Sequence, residues 1–245
     1  MKTVIGEQSH GRFRWLCLTF LAFCLALGGS WIALASIDFG YQYLYGLIGI
    51  DAHIMKYAPM NQLKMGFELS SDAERYRLFS DIVTAIHQQG QGLASLAYGN
   101  QGSRQLLLTQ DELLHLQDVA TLISYLAWVL LLILLLFMGL LIWLYRTGQS
   151  MPSFKVLLFW SLLVLLFLVG LVFALGPHNV FNQLHIWAFP VENKWFFYYE
   201  ESLMSTLMKA PDLFAYIAVM LVLLALPLFI LLMWLLKKLF TGRAL

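Results

Sequence analysis

The sequence predicts an all-α integral membrane protein: four transmembrane helices with a mostly helical extracytoplasmic insertion between the first and second spans. Three observations predict it. Of 245 residues, 60% are hydrophobic and only 12% charged, with a mean hydropathy of +0.74; soluble domains run at roughly 45–50% apolar and about 25% charged. Four apolar runs, residues 15–37, 119–145, 156–176 and 213–236, contain no Asp, Glu, Lys or Arg, and each reaches the roughly 20 residues that a spanning helix needs. The basic residues are also asymmetrically placed. The two tails (residues 1–14 and 237–245) and the link 146–155 hold eight basic residues against one acid, Glu7, while the remaining seven basic and thirteen acidic residues lie in the two other connections.

These numbers exclude a soluble enzyme, a disordered tail and a secreted disulfide scaffold. A net charge of +1 makes nucleic acid a poor partner. The rule that basic loops stay inside, with an even number of spans, puts both termini in the cytoplasm. The first run follows a basic flank, and Ala33-Leu34-Ala35 resembles a signal-peptide cleavage site, but the stretch is long for that purpose. Cys17 and Cys24 lie seven positions apart in that run, roughly 10 Å along a helix and too far to bridge within it, so both read as buried thiols. Pro227 inside the fourth run predicts a kink.

Two segments face outward, residues 38–118 and 177–212. In the first, Ser71-Asp72-Ala73-Glu74 has the form of a capping box and opens a run with Leu78, Phe79, Ile82, Val83 and Ile86 at helical spacing. An amphipathic helix of about four turns follows, ending near Gly90-Gln91-Gly92, its apolar face resting on the membrane surface or on the bundle. A second box, Thr109-Gln110-Asp111-Glu112, opens a helix that runs without a breaker into the second span. The other segment packs eight aromatics between Phe181 and Tyr199. Trp and Tyr favour the headgroup level, so an aromatic belt is one reading; a wall that holds an acyl chain is the other.

Chemistry, if present, belongs to the outward side, because the link 146–155 is too short for a site. Five of the six histidines fall there: His53, His87, His115, His178 and His185; His10 lies in the solvated tail. His115 sits four positions before the second apolar run, roughly 6 Å outside it along the helix. Glu112 and Asp118 share its face at three-residue spacing, forming a polar stripe at the bilayer surface where a carboxylate can orient the imidazole. A solvated helix stub with ordinary surface charges produces the same pattern. His185 lies inside the aromatic segment, where a polar group costs more than in open water. There is no Gly-x-Ser-x-Gly elbow, no outward Cys, no close metal-ligand pair and no phosphate loop. An enzyme built this way would use general acid–base catalysis, with no metal and no cofactor.

The stretch Glu112-x-x-His115-x-x-Asp118-Val119 resembles the E-x-x-H-x-x-D-V motif of the lipoprotein intramolecular transacylases (Lit). His185 and Phe189 keep the spacing of that family's phenylalanine-rich histidine motif, and Asn193-Lys194-Trp195 follows. Leu184, Leu116 and Ala188 depart from the pattern. The layout of four spans, a large first outer segment and a short aromatic second one is similar too. The resemblance implies a bacterial cytoplasmic-membrane enzyme acting on a diacylglyceryl-modified lipoprotein among membrane lipid. It would move an acyl chain from the sn-2 ester of the glyceryl group to the alpha-amino group of the N-terminal cysteine. It implies His115 and His185 as the catalytic pair, supported by Glu112, Asp118, Asn193 and Trp195, with Trp187 and Phe189 as acyl-chain or interface contacts. Competing readings are a non-catalytic membrane accessory or sensor protein, a haem-binding subunit, and another lipid-modifying enzyme working on a phospholipid.

Overall fold

A computed structural model describes residues 2–100 and 102–242, with side chains described from residue 11 onward; His10 therefore lies outside the described side chains. The chain is mostly helical. The elements are α1 (Lys2–Ala35), α2 (Tyr41–Leu47), α3 (Ile50–Tyr57), α4 (Asp72–His87), strands β1 (Ala97–Asn100) and β2 (Ser103–Leu106), α5 (Gln110–Arg146), α6 (Phe154–Leu175), α7 (Pro177–Ala188), α8 (Leu203–Met208) and α9 (Asp212–Thr241). Four helices are long and apolar enough to cross a membrane: Gly11–Ala35, Gln110–Arg146, Phe154–Leu175 and Asp212–Thr241. α9 runs through Pro227 without a break.

The chain forms two compact units. The first comprises the described parts of residues 1–32, 127–181 and 221–245. Its core joins Trp15, Leu18, Ala22 and Ala26 to Phe137, Leu144, Leu157, Phe229, Met233 and Leu236. Large apolar side chains such as Leu135, Phe167 and Phe173 are left facing outward. That pattern suits lipid rather than water, because hydrocarbon solvates such a surface without cost. Cys17 and Cys24 are free and half-buried rather than enclosed, since α1 turns them toward the outer surface of this unit.

The second unit comprises residues 33–126 and 182–220. Its centre is α4, whose Leu78, Phe79, Ile82 and Val83 are buried within the unit's own fold. Tyr41 stacks on Phe79, with ring centroids 3.9 Å apart, and donates its hydroxyl to the Leu207 carbonyl at 2.6 Å. Arg75 is buried and uses every guanidinium nitrogen, on Ser70 Oγ, Tyr45 Oη, Asp72, the Glu68 carbonyl and Met55 Sδ. Ser71 caps α4 as predicted, its hydroxyl accepting from the Glu74 N–H at 3.2 Å. The Glu74 carboxylate, however, accepts from the Gly99 N–H at 3.0 Å; β1 supplies an orphan donor that competes with the cap. The hairpin β1–β2 pairs Ala97 with Leu106 and Asn100 with Ser103. It is the one extended element among the described residues, in a segment predicted as mostly helical.

The segment 177–212, predicted as an aromatic loop, contains two helices, α7 and α8. Their apolar residues recur at helical spacing, and the aromatic count hides that periodicity.

Candidate active site

The head of α5 organises the site. Thr109 and Glu112 close the predicted capping box in both directions. The Glu112 N–H donates to Thr109 Oγ1 at 3.3 Å, and the Thr109 N–H donates to Glu112 Oε2. Glu112 departs from the predicted surface stripe, being fully buried. Its second oxygen accepts from the Ser202 hydroxyl and, at 3.1 Å, from the Met204 N–H. A buried carboxylate needs such donors, because an unsatisfied one costs far more than each hydrogen bond returns. The Lys64 ammonium donates to the Leu107 carbonyl. Burial pushes the Lys64 pKa down, and the Glu112 charge opposes that shift.

One turn on from Glu112, His115 is 8% exposed, and its Nδ1 is buried without a hydrogen-bond partner. Its ring lies 6.3 Å from that of His185, the two planes tilted by 31°. Phe189 packs against both, 4.9 Å from His115 and 5.3 Å from His185. Phe197 closes on His115 at 5.9 Å, and Trp195 lies 5.1 Å from His185. Burial pushes the His115 pKa down to about 4; the nearby His185 lowers it further, and the Asp118 carboxylate opposes both. His115 precedes the charge-free run that starts at residue 119.

Asp118 makes no hydrogen bond to His115, contrary to the expectation that it orients the ring. Its short side chain instead accepts from Asn193 Nδ2 at 2.7 Å. That bond ties α5 to the stretch carrying Trp195 and Phe197. Lys194 pairs with Glu201 at 2.9 Å and lies over the Phe197 ring at 5.2 Å, a second tie on the same stretch. Trp187 projects outward from α7, 75% exposed, and does not join the ring cluster. His53 is buried between Tyr57 and Tyr199, at 4.6 and 4.4 Å. His87 bonds the Val83 carbonyl at 2.7 Å. His178 is on the first turn of α7. Among the described residues, no three or more His, Cys, Asp or Glu side chains gather as metal ligands would.

Phe197, Ser202 and the Met204 N–H belong to this site without having been singled out in the sequence. Ser202 is the N-cap of α8, its hydroxyl accepting from the Ser205 N–H at 2.9 Å; the cap is a recognisable local signal, but nothing local points it at Glu112. Two imidazole rings 6.3 Å apart, packed among aromatic rings and one turn from a buried carboxylate, are chemically able to accept and return protons.

The family model for the lipoprotein intramolecular transacylase Lit matches residues 71–214. The chain belongs to the Lit family. It is thus a lipoprotein intramolecular transacylase, an acyltransferase of lipoprotein maturation and a multi-pass membrane protein. The structure of the membrane-integral Lit from Bacillus cereus, in a variant with one histidine replaced by arginine, is similar in fold. The TM-score is 0.67 at 15% identity, covering 99% of this chain and 97% of that one. A comparison with curated proteins finds no match. The matched range of the Lit model includes the whole ring cluster and both histidines.

Proposed function

We propose that this Lit-family enzyme moves an acyl chain from the sn-2 ester of a diacylglyceryl-lipoprotein to the alpha-amino group of its N-terminal cysteine, releasing the lyso-form lipoprotein. The observation that carries the reading is the 6.3 Å approach of the His115 and His185 rings, from positions 70 residues apart in the chain. The cysteine nitrogen attacks the ester carbonyl and forms the new C–N bond. Its proton passes to one histidine as the C–O bond to the glyceryl breaks. The other histidine gives a proton to the departing glyceryl oxygen. The unpartnered Nδ1 of His115 makes it the acceptor of the first proton in this reading; His185 then serves as acid or oxyanion donor, and the reverse assignment is the alternative. Asn193, Trp195 or a backbone N–H can supply further donors to the oxyanion.

Nucleophile and ester belong to one molecule, so much of the catalytic work is positioning. Phe189, Phe197 and Trp195 pack against the imidazole rings; Phe189 and Trp187 are the aromatic surfaces offered to acyl chains or the lipid interface. Glu112, Asp118 and Asn193 hold α5 and the aromatic stretch together. The arrangement that fits this chemistry has both termini and residues 146–155 in the cytoplasm, with residues 38–118 and 177–212 extracytoplasmic, facing the leaflet where a mature lipoprotein presents its N-terminus.

Each proton transfer is expected to contribute ~10²–10⁴-fold. His115→Gln and His185→Gln, at unchanged membrane levels, should each lose lyso product by that order, read by mass spectrometry of the lipoprotein N-terminus. Full product from both variants overturns the assignment.

A further inference from the structure

We propose that a second cleft of the same unit, lined by Ala58, Pro59, Met65, Glu68, Leu69 and Asn100, binds a lysine or arginine side chain of the lipoprotein substrate's polypeptide, with the Glu68 carboxylate as counter-charge. The cleft holds about 350 Å³, at the small end of ligand pockets, which run from about 300 to 1,000 Å³. That is room for one long side chain rather than a lipid.

Its chemistry is set by Glu68, whose Oε2 is buried without a hydrogen-bond partner. A buried carboxylate oxygen left bare is costly and invites a cation. The protein's own candidate, Arg75, cannot serve, because all three of its nitrogens are committed and it reaches Glu68 only at the backbone carbonyl, at 2.8 Å. No ion pair to Glu68 exists among the described residues. The walls suit the rest of such a side chain. Met65 and Leu69 are 77% and 66% exposed, apolar surfaces on which a methylene stem lies while its charged head reaches the carboxylate.

The floor is rigidly built. Gly66 sits at φ +77°, and a Cβ there would fall 2.3 Å from Asn100 Oδ1. The Met65 carbonyl accepts from both Tyr98 Oη and Asn100 Nδ2, at 2.8 and 3.0 Å. The segment that forms the cleft is tied to the residues just ahead of α5 and of α8. Lys64, next to Met65, is bonded to the Leu107 carbonyl just ahead of the α5 cap, and the Gln62 N–H donates to the Glu200 carbonyl at 2.8 Å. The proposed path runs the substrate polypeptide, extended at roughly 3.3 Å per residue, along this segment, with a side chain beyond its cysteine in the cleft. The proposal rests on the lipoprotein transacylase reading and extends it from the acylated end of the substrate to its peptide.

The test uses purified full-length protein and synthetic diacylglyceryl-cysteine peptides. Lysine, alanine or glutamate is placed at each successive position after the cysteine. Conversion of the alanine peptides by wild-type protein checks the transacylase reading alone. At one position the wild type should favour lysine over alanine in kcat/KM by about tenfold, the scale of a hydrogen bond to a charged group. Glu68→Gln should bring that ratio to about one, and Glu68→Lys should reverse the preference toward glutamate. A lysine preference that survives both substitutions, or no preference at any position while the alanine peptides are converted, overturns the proposal. So does a Glu68 effect that appears only when nanodiscs of phosphatidylcholine are replaced by phosphatidylethanolamine, which would place a headgroup amine in the cleft.

Discussion

Burying a histidine makes its protonation compete with folding. His53, between Tyr57 and Tyr199, has its pKa pushed down to about 4, by burial first and then by Lys209 and Lys56, with Asp212 opposing. In the unfolded chain the group returns to about 6.5. Between those values the unfolded state binds a proton that the folded state refuses, so stability rises with pH there. His53 therefore costs nothing above pH 6.5 and destabilises progressively as pH falls toward 4. Thermal unfolding in detergent across this window should show a steeper acid loss for wild type than for His53→Phe, which keeps the aromatic packing; equal slopes would contradict the account. At the site itself, Asn193→Ala removes the hydrogen bond that Asp118 accepts from Asn193 Nδ2, a charge-assisted bond worth more than a neutral one. It should lower kcat by about tenfold while leaving the fold intact, measured as lyso-product formation at saturating lipopeptide. An unchanged rate would show that the aromatic stretch does not need this tie.

At the scale of elements, Glu112 joins two pieces of chain that sequence distance hides. It closes the α5 cap locally and, 90 residues on, receives Ser202. Glu112→Ala leaves buried donors unsatisfied and removes a cap, at a cost of about 2–4 kcal/mol. Glu112→Gln keeps an acceptor for the Thr109 N–H and should cost less; denaturant unfolding in detergent ranks them, and an alanine variant as stable as glutamine would contradict this role. The same contrast explains what could be read from the residues. Both capping boxes are local, three-residue patterns, and both helix starts were legible; only Thr109–Glu112 closes fully, because Gly99 captures the Glu74 carboxylate. The amphipathic spacing of α4 gave its buried face, though not its partners. Glu112–Ser202 and Asp118–Asn193 join residues 90 and 75 positions apart, and no local signal encodes such a meeting. His115 and Glu112 were recognisable by spacing, but the surface stripe was not, since i, i+3 spacing says which residues share a face and not whether that face is covered.

For the whole molecule, the bilayer is the simplest constraint and so the most legible: a helix satisfies its own backbone in hydrocarbon, and four long charge-free runs stand out. Residues 38–108 obey no comparable rule. Short helices, single turns and a two-stranded hairpin bury a small mixed core around Arg75 and Tyr41, and their order follows from packing rather than period. The site draws on two helices, with His115 on the first turns of α5 and His185 on α7. The most direct test of the central claim is mass spectrometry of lipoprotein N-termini from cells with and without this protein. The account predicts that its presence converts diacylglyceryl-cysteine with a free amine into monoacylglyceryl-cysteine with an N-acyl chain of the same length, with no change in total acyl content. Termini that stay unchanged, or that gain a third chain, would contradict it.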